Sequence, residues 1–223
     1  MINVAIDGPV GAGKSTIARE CAKRLGYIYV DTGALYRAVG LFCRRNNIEI
    51  AQENAAEIEK AINSGLSLEI KLESGTQLVF MNGENVSEEI RLPEISMAAS
   101  AVSAIGCVRK FLLSTQRRVA EENNVIMDGR DIGTVILPDA QVKIFITAKP
   151  EIRAKRRYDE LIAKGIDAKF EDVLNDLNTR DYNDSHRAEA PLKQAEDAIL
   201  LDTSEFDFEQ SVQAVINLIE KGQ

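Results

Sequence analysis

The sequence has 223 residues and a formal net charge of −8, and 45% of its residues are hydrophobic. This length allows one domain of ordinary size, or one core with an inserted subdomain. The acidic balance argues against general nucleic-acid binding through a basic face, and no apolar run approaches the roughly 20 residues that span a bilayer. We therefore expect a globular protein that binds neither nucleic acid nor a membrane.

The cysteines Cys21, Cys43 and Cys107 are widely spaced, each among apolar neighbours. An odd number with this spacing is typical of reduced core residues and not of a disulfide or metal framework. The chain begins with a strand pattern and not with a basic segment followed by an apolar stretch, so we expect no signal peptide. These features predict a cytoplasmic protein, which we expect to be a monomer.

The N-terminal segment predicts a strand, a glycine-rich loop and a helix in succession. The strand is the apolar run Ile2–Ile6, and the helix extends from about Lys14 to Leu25, where Gly26 stops it. The loop, Gly8–Ser15, has the pattern G-x-x-x-x-G-K-[ST]. This strand–loop–helix context is what a phosphate-binding loop requires.

The loop carries groups that suit a nucleoside triphosphate. Its glycines allow backbone N–H groups to point inward and form a concave anion site at a helix N-terminus. Lys14 can reach the β- and γ-phosphates, and the Ser15 hydroxyl can bind Mg²⁺. The loop therefore predicts triphosphate binding, but not what happens to the triphosphate.

The next segments predict a short strand, two helices and a small sheet. Tyr27–Val30 is the strand, Asp31 and Thr32 can cap a helix over Ala34–Arg45, and a third helix covers about Glu53–Ser64. Apolar residues then alternate over Leu66–Leu72, a turn is predicted at Glu73-Ser74-Gly75, a strand follows at Gln77–Met81, and Asn82-Gly83 signals a hairpin. Residues 66–92 are therefore predicted to form an antiparallel insert, a separate subdomain without catalytic residues.

The remaining chain alternates between helices and strands. The helices are predicted at Pro93–Ser103, Val108–Asn123, Pro150 to about Lys164, around Phe170–Leu177, and at Phe206–Lys221 with Ser204 as its cap; the strands are predicted at Val125–Met127, Val142–Thr147 and Ile199–Leu201. Strands separated by helices imply a parallel sheet that is covered on both faces. The fold class is thus α/β, a P-loop NTPase-like parallel sheet flanked by helices, with a small antiparallel β insert and a helical lid.

Three charged residues follow the strand that ends near Met127. Asp128 lies at the carboxyl edge of the sheet, where it can hold Mg²⁺ from the side opposite Ser15, or simply cap the following turn. Arg130 and Asp131 are adjacent, so an extended loop would point them in different directions. The arginine suits a phosphate and the carboxylate suits an amine; the alternative is a mutual surface network.

Two further charged segments lie near the predicted sheet. Arg153–Arg157 is either a basic helix face, paired with Glu151 and Asp159, or a lid whose guanidinium groups close over the triphosphate. Farther on, Arg180 and Asp184 have helical spacing. His186, the only histidine, receives no role.

Taken together, these segments resemble a bacterial-type cytidylate kinase, a family of nucleoside monophosphate kinases. The matching segments are Gly8–Thr16, Asp31–Arg37, Asp128–Thr134, Lys149–Arg157 and Arg180–Leu192, in the order of the family and over almost the whole chain. The sequence departs from the family pattern at Val10, where serine is frequent, and at Gly106, where proline is frequent.

The resemblance implies one nucleoside monophosphate kinase domain over residues 1–223, with the 66–92 insert in its monophosphate-binding region and a helical lid at about 150–183. It implies Mg²⁺-dependent transfer of a phosphoryl group from ATP to CMP and dCMP, which gives CDP and dCDP in pyrimidine metabolism. The partners would be these nucleotides alone. Competing hypotheses are a kinase for UMP, AMP or shikimate, and a nucleotide-dependent switch, although the chain lacks the N-K-x-D guanine signature.

The resemblance also implies roles for individual residues. ATP would be bound by Gly8, Pro9, Val10, Gly11, Ala12, Gly13, Lys14, Ser15 and Thr16, and Mg²⁺ by Ser15 and Asp128. CMP would be bound by Thr32, Tyr36, Arg37, Ser100, Arg109, Arg130, Asp131, Arg180, Asp184 and Arg187. The catalytic residues would be Lys14, Arg130, Arg153 and Arg157. Chemistry supports a cytosine pocket, because the Asp131 carboxylate can accept a hydrogen bond from the N4 amine, whereas the O4 of uracil would leave a buried acceptor unpaired.

Overall fold

The computed structural model describes residues 1–73 and 76–222 of the chain. The strands are β1 (Asn3–Asp7), β2 (Ile28–Asp31), β3 (Leu68–Glu73), β4 (Thr76–Met81), β5 (Glu84–Asn85), β6 (Val125–Asp128), β7 (Val142–Thr147) and β8 (Ile199–Asp202). The helices are α1 (Lys14–Leu25), α2 (Thr32–Arg45), α3 (Ala55–Gly65), α4 (Pro93–Ser103), α5 (Gly106–Glu122), α6 (Pro150–Ala163), α7 (Phe170–His186) and α8 (Phe208–Lys221). They form two compact units: the first comprises Met1 and Ile28–Val125, and the second comprises Ile2–Tyr27 and Ile126–Gln223.

The second unit is built on a parallel sheet, as the sequence predicts. Its strands lie in the order β6-β1-β7-β8. Strand β1 pairs in parallel with β7, Val4 lying opposite Val142, and β7 pairs in parallel with β8. Helix α1 packs against β1 and α8, and α6 packs against α7. Because β1 and β6 are buried almost throughout, the loops that follow them start from fixed points.

The first unit contains the small antiparallel sheet, of order β3-β4-β5. Its hairpin is placed as predicted, since Asn82 and Gly83 both have positive φ, 52° and 83°, which a type I′ turn requires. The turn predicted at Glu73-Ser74-Gly75 includes Ser74 and Gly75, which lie outside the described residues. Val79 and Met81 of β4 belong to the same hydrophobic cluster as Leu35 of α2, so the small sheet shares the core of the helices in its unit.

The start of α8 corrects one prediction. Ser204 does not cap this helix; its hydroxyl instead donates to the Asp202 carboxylate, 2.6 Å away. Asp207 is the N-cap, because its carboxylate accepts from the Gln210 N–H and the Gln210 side chain accepts from the Asp207 N–H. This reciprocal capping box satisfies two N–H groups, whereas a serine cap would satisfy one.

Helices α4 and α5 follow each other with a sharp bend. The segments Met97–Ser103 and Gly106–Glu122 meet at 96°, and as a pair they have the length and apolar composition of a broken membrane span. No single helix within 1–73 and 76–222 has both properties.

Candidate active site

The phosphate-binding loop of the second unit depends on its glycines. Gly8, Gly11 and Gly13 have φ values of 145°, 74° and 84°, a region that other residues rarely adopt. At Gly8 a Cβ atom would lie 1.9 Å from the backbone oxygen of Ile146, so no side chain fits there. Gly13 is the N-cap of α1. Since glycine has no side chain, the first N–H groups of α1 are left for an anionic ligand.

Lys14 lies folded over this loop. Its ammonium donates to the backbone oxygen of Pro9 at 2.7 Å, and the residue is only 5% exposed. Burial, together with the positive charge of Arg130, lowers the pKa of Lys14 to about 7, although Asp128 and Asp7 oppose the shift. A triphosphate would supply the negative charge that the buried ammonium lacks.

We therefore expect triphosphate binding to be linked to proton uptake by Lys14. In the free protein at pH 8 most Lys14 side chains are neutral, and a bound triphosphate raises their pKa, so about one proton is taken up per ATP. At pH 6 most Lys14 side chains are already charged, so almost no proton is taken up. Titration calorimetry of ATP binding in two buffers of different ionisation enthalpy measures this number. The control is the Lys14→Met variant, whose proton uptake comes only from ionisable groups other than Lys14. Equal proton uptake by the two proteins at pH 8 would contradict the expectation.

Ser15 and Asp128, the two predicted Mg²⁺ ligands, lie together. The Ser15 hydroxyl donates to Oδ2 of Asp128 at 2.8 Å. Asp128 ends β6 and is buried, in agreement with its predicted place at the carboxyl end of a strand. A hydroxyl and a carboxylate are hard oxygen donors of the kind that Mg²⁺ prefers, so these residues fit the ion.

The predicted acceptor residues of the second unit form two ion pairs. Arg130 donates to Asp184 of α7 at 2.7 Å, and Arg187 lies 3.4 Å from Asp131, which is 3% exposed. Arg180 of α7 is half-buried, and its pKa is lowered by burial and by the positive charge of Arg130. An anion placed between these two guanidinium groups would reduce their mutual repulsion.

Asp7, which the sequence analysis missed, fixes the segment that follows Asp131. Its carboxylate accepts from the N–H groups of Ile132 and Gly133, at 2.7 and 2.8 Å. Burial raises the pKa of Asp7 to about 6. Asp7 ends β1 immediately before the phosphate-binding loop, so one carboxylate connects that loop with the start of the π-helical turn at 132–136. A single acidic residue at the end of an apolar strand was the available signal.

The first unit holds the remaining predicted acceptor residues. Arg37 of α2 donates to Oδ2 of Asp31 at 2.6 Å. Arg109 of α5 donates to the backbone oxygen of Ser103, and its guanidinium lies 5.5 Å from the ring centroid of Tyr36. Thr32 is buried at the first position of α2, and Ser100 is half-buried on α4. The structure therefore brings Arg109 and Tyr36 together, as a cation–π pair.

The two predicted lid arginines have different surroundings. Arg157 is 44% exposed and pairs with Glu160 on the surface of α6. Arg153 is buried, and its guanidinium donates to the backbone oxygens of Ala148 and Val10, each at 2.8 Å. In this structure Arg153 therefore contacts the phosphate-binding loop itself.

Asp181 of α7 completes this contact, and the sequence analysis did not identify it. One of its carboxylate oxygens accepts from Arg153 at 2.6 Å, and the other accepts from the Val10 N–H at 3.1 Å. Both backbone groups of Val10 are thus held by α6 and α7. The valine that departs from the family pattern keeps these bonds, because they use only its backbone.

Comparisons with known proteins identify relatives over nearly the whole chain. The sequence profile described as cytidylate kinase matches residues 4–221. A cytidylate kinase from Caldicellulosiruptor bescii is 51% identical over 220 residues, which cover 99% of this chain and 96% of the relative. One from Lactobacillus johnsonii is 47% identical over 223 residues, which cover 100% of this chain and 96% of the relative.

Among solved structures, an uncharacterized protein from Eubacterium ventriosum superposes with a TM-score of 0.51 at 14% identity, over 99% of each chain. Identity this low supports the fold alone. The family assignment comes from the profile and from the two relatives, which match nearly the full length. This chain belongs to the cytidylate kinase family.

Proposed function

We propose that this kinase transfers the γ-phosphoryl group of ATP to CMP and dCMP, and so produces ADP with CDP or dCDP in cytoplasmic pyrimidine metabolism. The main support for a cytosine-containing acceptor is that Asp131, which follows Arg130, is buried and forms an ion pair with Arg187. A buried carboxylate can accept a hydrogen bond from the N4 amine of cytosine. The O4 of uracil would instead face an acceptor, which costs roughly 1–3 kcal/mol.

In this proposal the residues that match the family's acceptor positions bind the nucleoside monophosphate. Arg37, Arg130 and Arg180 bind its phosphate, and Asp184 with Arg180 contacts the sugar. The cytosine is bound by Ser100, Arg109, Asp131 and Arg187. Thr32 and Tyr36 lie beside this cytosine pocket. The support is the family relationship together with the two ion pairs that hold Arg130 and Asp131 in place.

The donor would be held by the loop Gly8–Thr16. Lys14 and the loop N–H groups stabilise the charge that develops on the γ-phosphoryl group. Ser15 and Asp128 would hold Mg²⁺, which when bound neutralises phosphate charge. The bond from the γ-phosphorus to the β,γ-bridging oxygen breaks as a bond to an oxygen of the acceptor phosphate forms. That oxygen is already ionised near neutral pH, so no general base is required.

We further propose that residues 1–223 act as one kinase domain, with 66–92 in the monophosphate-binding region and the helices at 150–183 as a lid. Arg157 is exposed, and when the lid closes it would exchange its surface partner Glu160 for the triphosphate, whereas Arg153 contributes by holding Val10. Closure would exclude water, the competing nucleophile.

An acceptor profile tests this function. ADP production is measured in a coupled assay with CMP, dCMP, UMP, AMP and shikimate, and with the Lys14→Ala variant as a control for contaminating kinases. We expect CMP and dCMP to give the highest kcat/KM. Preference for another acceptor contradicts the proposal, and equal ADP production with and without CMP favours a nucleotide-dependent switch.

A further inference from the structure

Gln77 is a polar residue on the buried face of the small sheet. Along β4, residues 77, 79 and 81 alternate toward the core, where Val79 and Met81 are apolar and Gln77 is 8% exposed. An amide in such a position costs free energy unless both its donor and its acceptor are satisfied. The partners of Gln77 therefore indicate why it is there.

Both partners are backbone groups of Asp31. Oε1 of Gln77 accepts from the Asp31 N–H at 2.7 Å, and Nε2 donates to the Asp31 oxygen at 3.2 Å. The side chain thus pairs with Asp31 as a neighbouring strand would, and it fixes the last residue of β2. Asp31 is also the N-cap of α2.

The Asp31 side chain in turn orients Arg37. One carboxylate oxygen accepts from the Ala34 N–H at 3.1 Å, which caps α2, and the other accepts from Nη2 of Arg37 at 2.6 Å. The hydrogen bonds connect Gln77, Asp31 and Arg37 in series. A shift of the Asp31 backbone would move the oxygen that orients the guanidinium.

Arg37 has a donor left for a ligand. Its Nε atom is buried and has no hydrogen-bond partner among the described residues. An unpaired buried N–H is unfavourable, and an anion that accepts from it would remove that cost. The guanidinium is therefore held on one side by Asp31 and lacks an acceptor on the Nε side.

We propose that Gln77 is a positioning residue of the acceptor site: through Asp31, it orients Arg37 toward the phosphate of the nucleoside monophosphate. This inference rests on the proposed function. It implies that the antiparallel insert contributes indirectly to substrate binding. Gln77 itself does not touch the substrate in this proposal. Its effect must therefore depend on the presence of Arg37.

The test is a double-mutant cycle between Gln77 and Arg37. Gln77→Met keeps the size of the side chain and removes both hydrogen bonds, and Gln77→Ala is a second variant in case methionine packs poorly. We expect Gln77→Met to raise the Kd for CMP, measured by calorimetry without ATP, and the KM for CMP by about tenfold, while the KM for ATP stays within twofold. In the Arg37→Ala background the same substitution should have almost no further effect.

Ser87→Ala is the matched control. The Ser87 hydroxyl accepts from the Val79 N–H at 2.9 Å, so this variant also removes a buried hydrogen bond of β4 but leaves Asp31 untouched. We expect it to bind CMP like the unmodified protein. Thermal unfolding of every variant separates binding effects from loss of fold.

The outcomes distinguish this inference from the proposed function. If Arg37→Ala weakens CMP binding and Gln77→Met does not, the inference fails and the function stands. An equal effect of Gln77→Met with and without Arg37 also overturns the inference. If Arg37→Ala leaves the binding of every acceptor unchanged, the proposed acceptor site is wrong and the inference falls with it.

Discussion

We expect the Lys14→Ala variant to lose about 10²–10³-fold in kcat, the usual effect of removing one preorganised donor from a developing charge. Lys14 is the buried cation of the phosphate-binding loop, and burial lowers its pKa to about 7. Because folding lowers this pKa, ionisation of Lys14 opposes folding below the unfolded value of about 10.4. The variant should therefore unfold at no lower urea concentration than the unmodified protein at pH 7.

Steady-state rates at saturating ATP and CMP, with urea unfolding of the same samples, measure both effects. Lys23→Ala is the control, because Lys23 lies on the same helix but is exposed. It should leave kcat unchanged. A near-normal kcat for Lys14→Ala would remove Lys14 from the proposed reaction, and a lost fold would show that its main role is structural.

The second large effect is expected for Asp131→Asn, which should change the preference for cytosine over uracil. The carboxylate offers only acceptors, whereas the amide also offers a donor that can pair with the O4 of uracil. We expect kcat/KM for CMP to fall about tenfold or more and that for UMP to rise, so that the preference for CMP is reduced or reversed. Competition between CMP and UMP in one assay measures the ratio directly.

The exposed residue Asp159, which pairs with Lys155 on α6, provides the matched control. Asp159→Asn makes the same chemical change away from the proposed pocket and should leave the ratio unchanged. ATP binding by Asp131→Asn should also be unaffected. An unaltered CMP/UMP ratio for Asp131→Asn would exclude Asp131 from base recognition.

Local patterns predicted much of the secondary structure. The bounds of α1, α4 and β7 agree with the prediction. The signals that set them, which are Gly26, Pro93 and the run of apolar residues in β7, lie at these bounds or directly beside them. Ser204 shows where local signals compete. Two capping residues lie three positions apart, and the reciprocal bond of Asp207 with Gln210 decides between them.

The supporting residues of the site were harder to predict. Asp7 binds backbone groups 125 and 126 positions away, Asp181 binds Val10 across 171 positions, and Gln77 binds Asp31 across 46. Each is a single polar residue whose partner is a backbone N–H or oxygen. Backbone groups are the same in every residue, so no side-chain pattern marks such a partner.

Glycine spacing, periodicity and short motifs were sufficient to predict the phosphate-binding loop, the parallel α/β class and the resemblance to cytidylate kinases. Which charged groups are buried, and what they contact, became known from the folded structure. Arg153 and Arg157 lie one turn apart on α6, yet one is buried against Val10 and the other is exposed. Burial and long-range hydrogen bonds depend on how the elements pack. Local sequence patterns do not predict this packing, because it joins residues that are far apart in the chain.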